Sequence, residues 1–207
     1  MKTRSELKLA ALTKCRSNWT PLVLATLVYF AICGVAGATT VAAGLVAIFA
    51  VSPLEVGLLN SLLAFDRDQS NTDIIESMFR KGFSNNYLHI VLGIFLMDLF
   101  VFLWTLLLII PGIIKSLAYA LTPFILAENP EIPAYDAIKL SEKMMMGHKW
   151  DLFILILSFI GWFILACLTF GIGFLWLTPY VQMSFCEFYE DIKAEQAGKP
   201  LEGTIER

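Results

Sequence analysis

Two stretches of the chain carry no charged residue, from Ser17 to Leu54 and from Leu152 to Cys186. They run for 38 and 35 residues. At about 1.5 Å per residue each would make a helix of over ~50 Å, whereas the hydrocarbon core of a bilayer is ~30 Å thick. Each run is therefore expected to fold back. Small-residue clusters supply the turns: Gly34-Val35-Ala36-Gly37-Ala38 in the first and Thr169-Phe170-Gly171-Ile172-Gly173 in the second. A third pair lies between them. Tyr87 to Ile110 is apolar apart from His89 and Asp98, Pro111-Gly112 breaks the helix, and Ile113 to Ala127 forms a shorter apolar return.

The pattern predicts an all-α, polytopic transmembrane helical bundle. Six membrane-spanning helices form three hairpins, with approximate crossings at 19–37, 39–65, 87–110, 112–127, 151–170 and 173–189. They make one membrane domain over 1–193, followed by a polar cytoplasmic tail, 194–207. Orientation follows from the basic residues. A six-crossing chain puts fourteen of the fifteen Lys and Arg residues on one side, leaving Lys115 alone on the other. Both termini are then cytoplasmic. Ala36-Gly37-Ala38 resembles a signal-peptide cleavage site, but the basic leader is long and more membrane sequence follows, which favours an uncleaved crossing.

A polar-to-amphipathic stretch precedes each hairpin and ends in an aromatic residue. Segments 3–17, 72–84 and 133–147 are expected to be interfacial helices, leading to Trp19, Tyr87 and Trp150. Ile74, Ile75, Met78, Phe79 and Phe83 share a face in the second; Ala134, Ala137, Ile138, Ser141, Met144 and Met145 share one in the third. Each return helix also carries a hydroxyl residue before proline: Ser52-Pro53, Thr122-Pro123 and Thr178-Pro179. Together these features read as three copies of one unit, an interfacial helix followed by a membrane hairpin.

Composition agrees with the pattern. The chain is 57% hydrophobic and 16% charged, with a mean hydropathy of +0.71. A soluble domain usually carries about 25% charged residues. The net charge of −3 decides nothing, and no basic cluster alternates with aromatics, so nucleic acid is not an expected partner. Cys15, Cys33, Cys167 and Cys186 lack CxxC spacing and read as small apolar packing residues.

Ionisable groups inside a bilayer are costly and need a reason. The candidate intramembrane polar residues are Glu55, Asn60, Asp98 and Lys115; the candidate helix breaks are Pro53, Pro111, Pro123 and Pro179. Glu55 and Asp98 sit at similar depth, where two facing carboxyls would share a proton or bind a cation. The blander alternative is that each is protonated, or hydrogen-bonded to backbone freed by a proline, because an isolated buried carboxyl neutralises readily. Lys115 is expected to snorkel to the outer headgroups. His89 and His148 lack zinc-binding spacing, and no nucleophile elbow, Walker loop or dinucleotide fingerprint is present. No catalytic, cofactor-binding or metal-binding residue is expected. Gly34, Ala38 and Gly44, and Gly57 with Ser61, permit close helix approach.

Several ordered motifs resemble those of DUF975, a family of uncharacterised bacterial integral membrane proteins. They are Leu103-Trp104-Thr105-Leu106-Leu107-Leu108-Ile109-Ile110-Pro111-Gly112-Ile113-Ile114-Lys115, Ile125-Leu126-Ala127-Glu128-Asn129-Pro130, and Ala137-Ile138-Lys139-Leu140-Ser141 through Met146-Gly147-His148-Lys149-Trp150. Ser158 to Trp162, Thr169 to Gly173, Pro179-Tyr180 and Phe188-Tyr189 extend the match, which spans roughly 53–193. Glu128 stands where the family pattern leads one to expect Asp. The resemblance implies a multi-pass protein of the bacterial cytoplasmic membrane, related to the membrane portions of some glycerophosphodiester phosphodiesterases. It assigns no functional residue.

The expected function is that of a non-enzymatic bundle organising lipid or a partner protein, with membrane lipids and a protein partner or homo-oligomer as its associates. A small transporter or channel, using the intramembrane carboxyls and proline-broken helices, is the alternative.

Overall fold

Short capping motifs and apolar periodicity turn almost all of the described chain into helix. The structure, a computed structural model, describes residues 3–37, 51–68, 73–83, 87–107, 109–169 and 171–198. Among them are eleven helices and no strand. α1 (Arg4–Ser17) opens with a capping box: the Thr3 hydroxyl accepts from the Glu6 N–H at 3.4 Å, and the Glu6 carboxylate accepts from the Thr3 N–H at 2.6 Å. After Asn18 the chain bends by 96° into α2 (Trp19–Gly37). α3 (Ser52–Arg67) begins on Ser52-Pro53 and is followed by α4 (Ile74–Gly82). α5 (Tyr87–Leu107) and α6 (Ile109–Tyr119) lead to α7 (Thr122–Glu128), which begins on Thr122-Pro123. α8 (Ala134–Met144), α9 (Lys149–Leu157), α10 (Ile160–Leu168) and α11 (Phe174–Gly198) complete the order.

The packing repeats one relation three times. The short helices α4 and α8 lie against the helices that precede them, α4 on α3 and α8 on α6 and α7, while α1 lies on α11. The long helices that follow them keep step: α2 packs on α11, α5 on α3, and α9 on α6. The N-terminal helix thus closes on the C-terminal one. The three helices bearing a hydroxyl-proline pair also meet, α3 touching both α7 and α11. Leu22, Leu58, Phe65, Phe159 and Phe188 fill the core between these layers, all fully buried.

Each short helix buries the face its spacing marks out. Leu7, Ala11 and Cys15 are buried on α1, and Ala134, Ala137, Ile138, Ser141 and Met144 on α8. On α4 the buried set is smaller than its periodicity implies. Ile74, Met78 and Gly82 are inside, while Phe79 and Phe83 stay exposed.

Among the described residues, three helical runs are long and apolar enough to cross a membrane: Tyr87–Leu106, Ile110–Glu128 and Lys149–Leu168. The bent pair formed by α1 and the start of α2 would make a fourth if counted as one span. The six expected crossings therefore reduce to a coarser result, for local reasons. α11 is diluted by Thr178, Gln182, Ser184 and Glu187 and continues as far as Gly198. α3 carries Glu55, Asn60 and Ser61, and most of 39–51, which would precede it in the second crossing, lies outside the described residues. So do Ala38, Gly44 and Phe170 of the expected turns and close contacts. At the other turn Gly171 adopts φ +87° and its N–H reaches the Ala166 carbonyl at 3.2 Å. That left-handed conformation suits glycine.

Candidate functional site

The densest chemistry gathers where α3, α7 and α11 end or approach their ends. α3 finishes on Asp66 and Arg67, α7 finishes on Glu128, and successive turns of α11 present Glu187, Tyr189, Glu190 and Lys193. The Tyr189 hydroxyl donates to Glu128 Oε2 at 2.5 Å, and the Lys193 ammonium donates to both Glu128 oxygens at 2.7 and 2.8 Å. Arg67 Nη2 bonds Glu128 as well. The same guanidinium donates from Nε and Nη2 to Glu190 Oε1 at 2.9 and 2.5 Å. Phe124 stacks on Tyr189 with ring centres 5.6 Å apart, fixing the phenol over Glu128.

One turn deeper, Lys14 of α1 inserts between Asp66 and Glu187. Its ammonium lies 2.8 Å from Asp66 Oδ1 and 2.5 Å from Glu187 Oε1, and those carboxylates are only 4% and 3% exposed. Burial alone would lower the Lys14 pKa; its hydrogen bonds to Asp66 and Glu187 outweigh that and raise it. Arg67 follows the same logic, with Glu128 and Glu190 overriding the effect of burial. The two clusters tie α1, α3, α7 and α11 together by charge. Breaking a buried pair by removing one partner typically costs about 3–5 kcal/mol, because the other charge is left uncompensated.

Beside these pairs lies a polar cavity of about 260 Å³, lined by Asn60, Leu63, Ala64, Arg67, Glu128, Asn129 and Lys193. Both Glu128 oxygens already accept from cations or a phenol, so the carboxylate is not poised as a general base. Among the described residues, no three His, Cys, Asp or Glu side chains gather to hold a metal ion. The arrangement acts as a clamp between helix ends.

The sequence candidates distribute as follows. Asn60 faces this cavity, and its amide donates to the Ala127 carbonyl, joining α3 to α7. Glu55 sits in the first turn of α3, within electrostatic reach of Asp98 on α5 and Tyr29 on α2. Asp98 itself is on the exposed side of α5. Lys115 pairs with Glu142 of α8 at 2.6 Å, with the Trp104 and Tyr119 rings 5.3 and 5.5 Å from its amine. Lys115, expected at the outer headgroups, instead contacts a residue of the expected interfacial helix 133–147. Pro53 and Pro123 begin helices, whereas Pro111 lies within the first turn of α6 and Pro179 inside α11. Pro179 removes one backbone donor without ending the helix, since flanking turns hold it on both sides. The His148 ring approaches Asp151 and Glu195 at 3.7 and 3.9 Å.

The Glu128 and Lys14 clusters are absent from the sequence candidates. Their signal was available in part: Glu128 and Tyr189 both fall in motifs that carry the family resemblance, and Glu187 ends the second charge-free run. Nothing in the linear spacing links Arg67 to Glu190, 123 positions apart.

No curated protein and no solved structure matches the chain. A family model does, over residues 99–196, and its description is a protein of unknown function, DUF975. The matched region contains the C-terminal part of α5, α6 to α10 and most of α11, with Glu128, Tyr189, Glu190 and Lys193 among its residues. Over that region, just under half of the chain, it is similar to the DUF975 family.

Proposed function

We propose that this chain is a non-enzymatic integral membrane bundle that organises lipid or a partner protein in the bacterial cytoplasmic membrane. In this reading the apolar helices cross the membrane, with both termini in the cytoplasm. The observation that carries it is the apolar surface of α5, α6, α9 and α10. Leu106, Ile110 and Leu168 are 75%, 74% and 73% exposed, and Phe102, Trp150 and Trp162 stand out beside them. So much contiguous apolar surface marks a face that meets lipid or another protein. Inside the bundle, by contrast, Lys14, Asp66, Arg67, Glu128 and Glu187 are engaged in holding helices together.

A small transporter is the second reading, supported by the electrostatic proximity of Glu55 and Asp98. Purified protein in proteoliposomes separates the two. The scaffold reading expects no proton, cation or solute flux above empty vesicles, and no change with Glu55→Gln or Asp98→Asn. Flux that disappears in Asp98→Asn would overturn it.

A further inference from the structure

The Lys14 cluster sets two carboxylates against one ammonium. Asp66 and Glu187 lie 2.8 and 2.5 Å from Lys14 Nζ and are almost wholly buried, so water does little to hold their charge. With both ionised, the three groups sum to −1. Lys14 on α1 favours the ionised form of Asp66, while Glu187 and Glu190 on α11 oppose it. Glu190 accepts from Arg67 Nε at 2.9 Å, and Glu128 of α7 is taken up by Arg67, Tyr189 and Lys193. The thiols of Cys15 on α1 and Cys186 on α11 are fully buried within electrostatic reach of Asp66. Burial pushes the Cys15 thiol up to about 12, so it brings no charge at neutral pH. α2, α4 and α5 also pack on α3 but add none of the charges acting on Asp66 among the described residues.

α1 is built to move as a unit. Its capping box closes its first turn from within, and Asn18 alone separates it from α2, where the chain bends by 96°. Leu7, Ala11 and Cys15 bury its apolar face, and α11 is its main support. A helix with its own cap and a one-residue joint can leave that support without unwinding.

Burial is the largest influence on Asp66 and raises its pKa above the usual 3.8, with Lys14 pulling the other way. Because the folded value is the higher one, folding takes up a proton. The stability that this group contributes is complete in acid and is lost as pH rises from 3.8 through the raised value.

We propose that Asp66 carries a proton on Oδ2 while Lys14 occupies Oδ1, and that losing this proton releases α1 from α3 and α11. The proton is thus a latch on the N-terminal helix. It goes beyond the lipid-organising reading and does not depend on it, since a scaffold and a transporter could both use such a latch.

The test pairs two titrations of the full chain in mild detergent. Infrared spectra of protein with carbon-13 in its aspartate carboxyls follow the proton, in an Asp98→Asn background that removes the aspartate of the apolar run. A label-shifted band of protonated carboxyl should persist well above pH 3.8 and disappear as pH rises further. Glu187→Gln removes one opposing charge and should move that disappearance about one pH unit or more lower. Hydrogen exchange of the α1 amides, corrected for the intrinsic effect of pH, should quicken about tenfold as the band is lost. In Asp66→Asn, which stays neutral, it should remain slow throughout. An aspartate band that is gone by the usual 3.8 overturns the proposal, and so does α1 exchange that does not follow the band. These two curves need no change at Asp66, so they decide the matter even if Asp66→Asn does not fold. A folded Asp66→Asn protein whose α1 still loosens with pH overturns it as well. None of these outcomes touches the flux comparison, which tests the lipid-organising reading separately.

Discussion

α4 on α3 and α8 on α6 and α7 are the same relation built in two ways. Each short helix runs back along a helix entered through a hydroxyl residue and a proline. Between α4 and α3 there is almost no side chain: a Cβ on Gly57 would overlap the Met78 carbonyl, and one on Gly82 would overlap the Pro53 carbonyl. Ser77 and Ser61 add a hydroxyl contact of 2.7 Å. Between α8 and its neighbours, polar side chains make the joint. Ser141 donates to the Ala118 carbonyl at 2.9 Å and accepts from the Leu121 N–H at 3.2 Å, meeting the backbone groups where α6 gives way to α7. Lys115 and Glu142 add an ion pair at the edge. One joint is set by the absence of atoms and the other by hydrogen bonds, so the two should respond to different substitutions.

The largest effect is expected where nothing can move. Gly57→Ala or Gly82→Ala forces backbone apart, and overpacking of this kind costs about 1–3 kcal/mol or more. A clear fall in melting temperature in detergent checks it; an unchanged one would mean that α4 does not lie this close. Ser141→Ala comes next. It strands a buried carbonyl and a buried N–H for a loss of about 1–3 kcal/mol, which Ser141→Thr should partly restore. A smaller effect is expected from the ion pair. A double-mutant cycle of Lys115→Met and Glu142→Gln should give a coupling of about 1 kcal/mol or less, since Glu142 is partly exposed. Coupling well beyond that would place the pair in a drier setting. Gly34→Ala is the control. No atom lies within 4 Å of the added Cβ, so helix propensity alone should raise stability, by no more than about 1 kcal/mol.

Periodicity in the sequence was enough to locate the short helices and much of their buried faces. The faces of α8 follow directly from Ala134, Ala137, Ile138, Ser141 and Met144. The hydroxyl-proline pairs mark the starts of α3 and α7, because proline is tolerated in a first turn; Pro179 shows that the same residue can sit inside a long helix. What linear reading could not supply is the docking of α1 on α11 or the ion pairs at the helix ends. Those depend on which helices become neighbours, and a charge at a helix end looks alike in sequence whether it faces water or a partner. Lys115 illustrates the cost: expected at the outer headgroups, it pairs with Glu142, a contact that linear spacing does not show.

The central claim is that α1 belongs to the bundle, closing the series of helix pairs against α11. Lys14 is where this can be tested most directly, because its partners Asp66 and Glu187 come from α3 and α11. The measurement is the melting temperature of Lys14→Glu alone and combined with Glu187→Lys. The account predicts a large drop for the single change and recovery of most of it in the double. A Lys14→Glu protein as stable as the wild type, or a double variant no better than the single, would contradict the docking of α1.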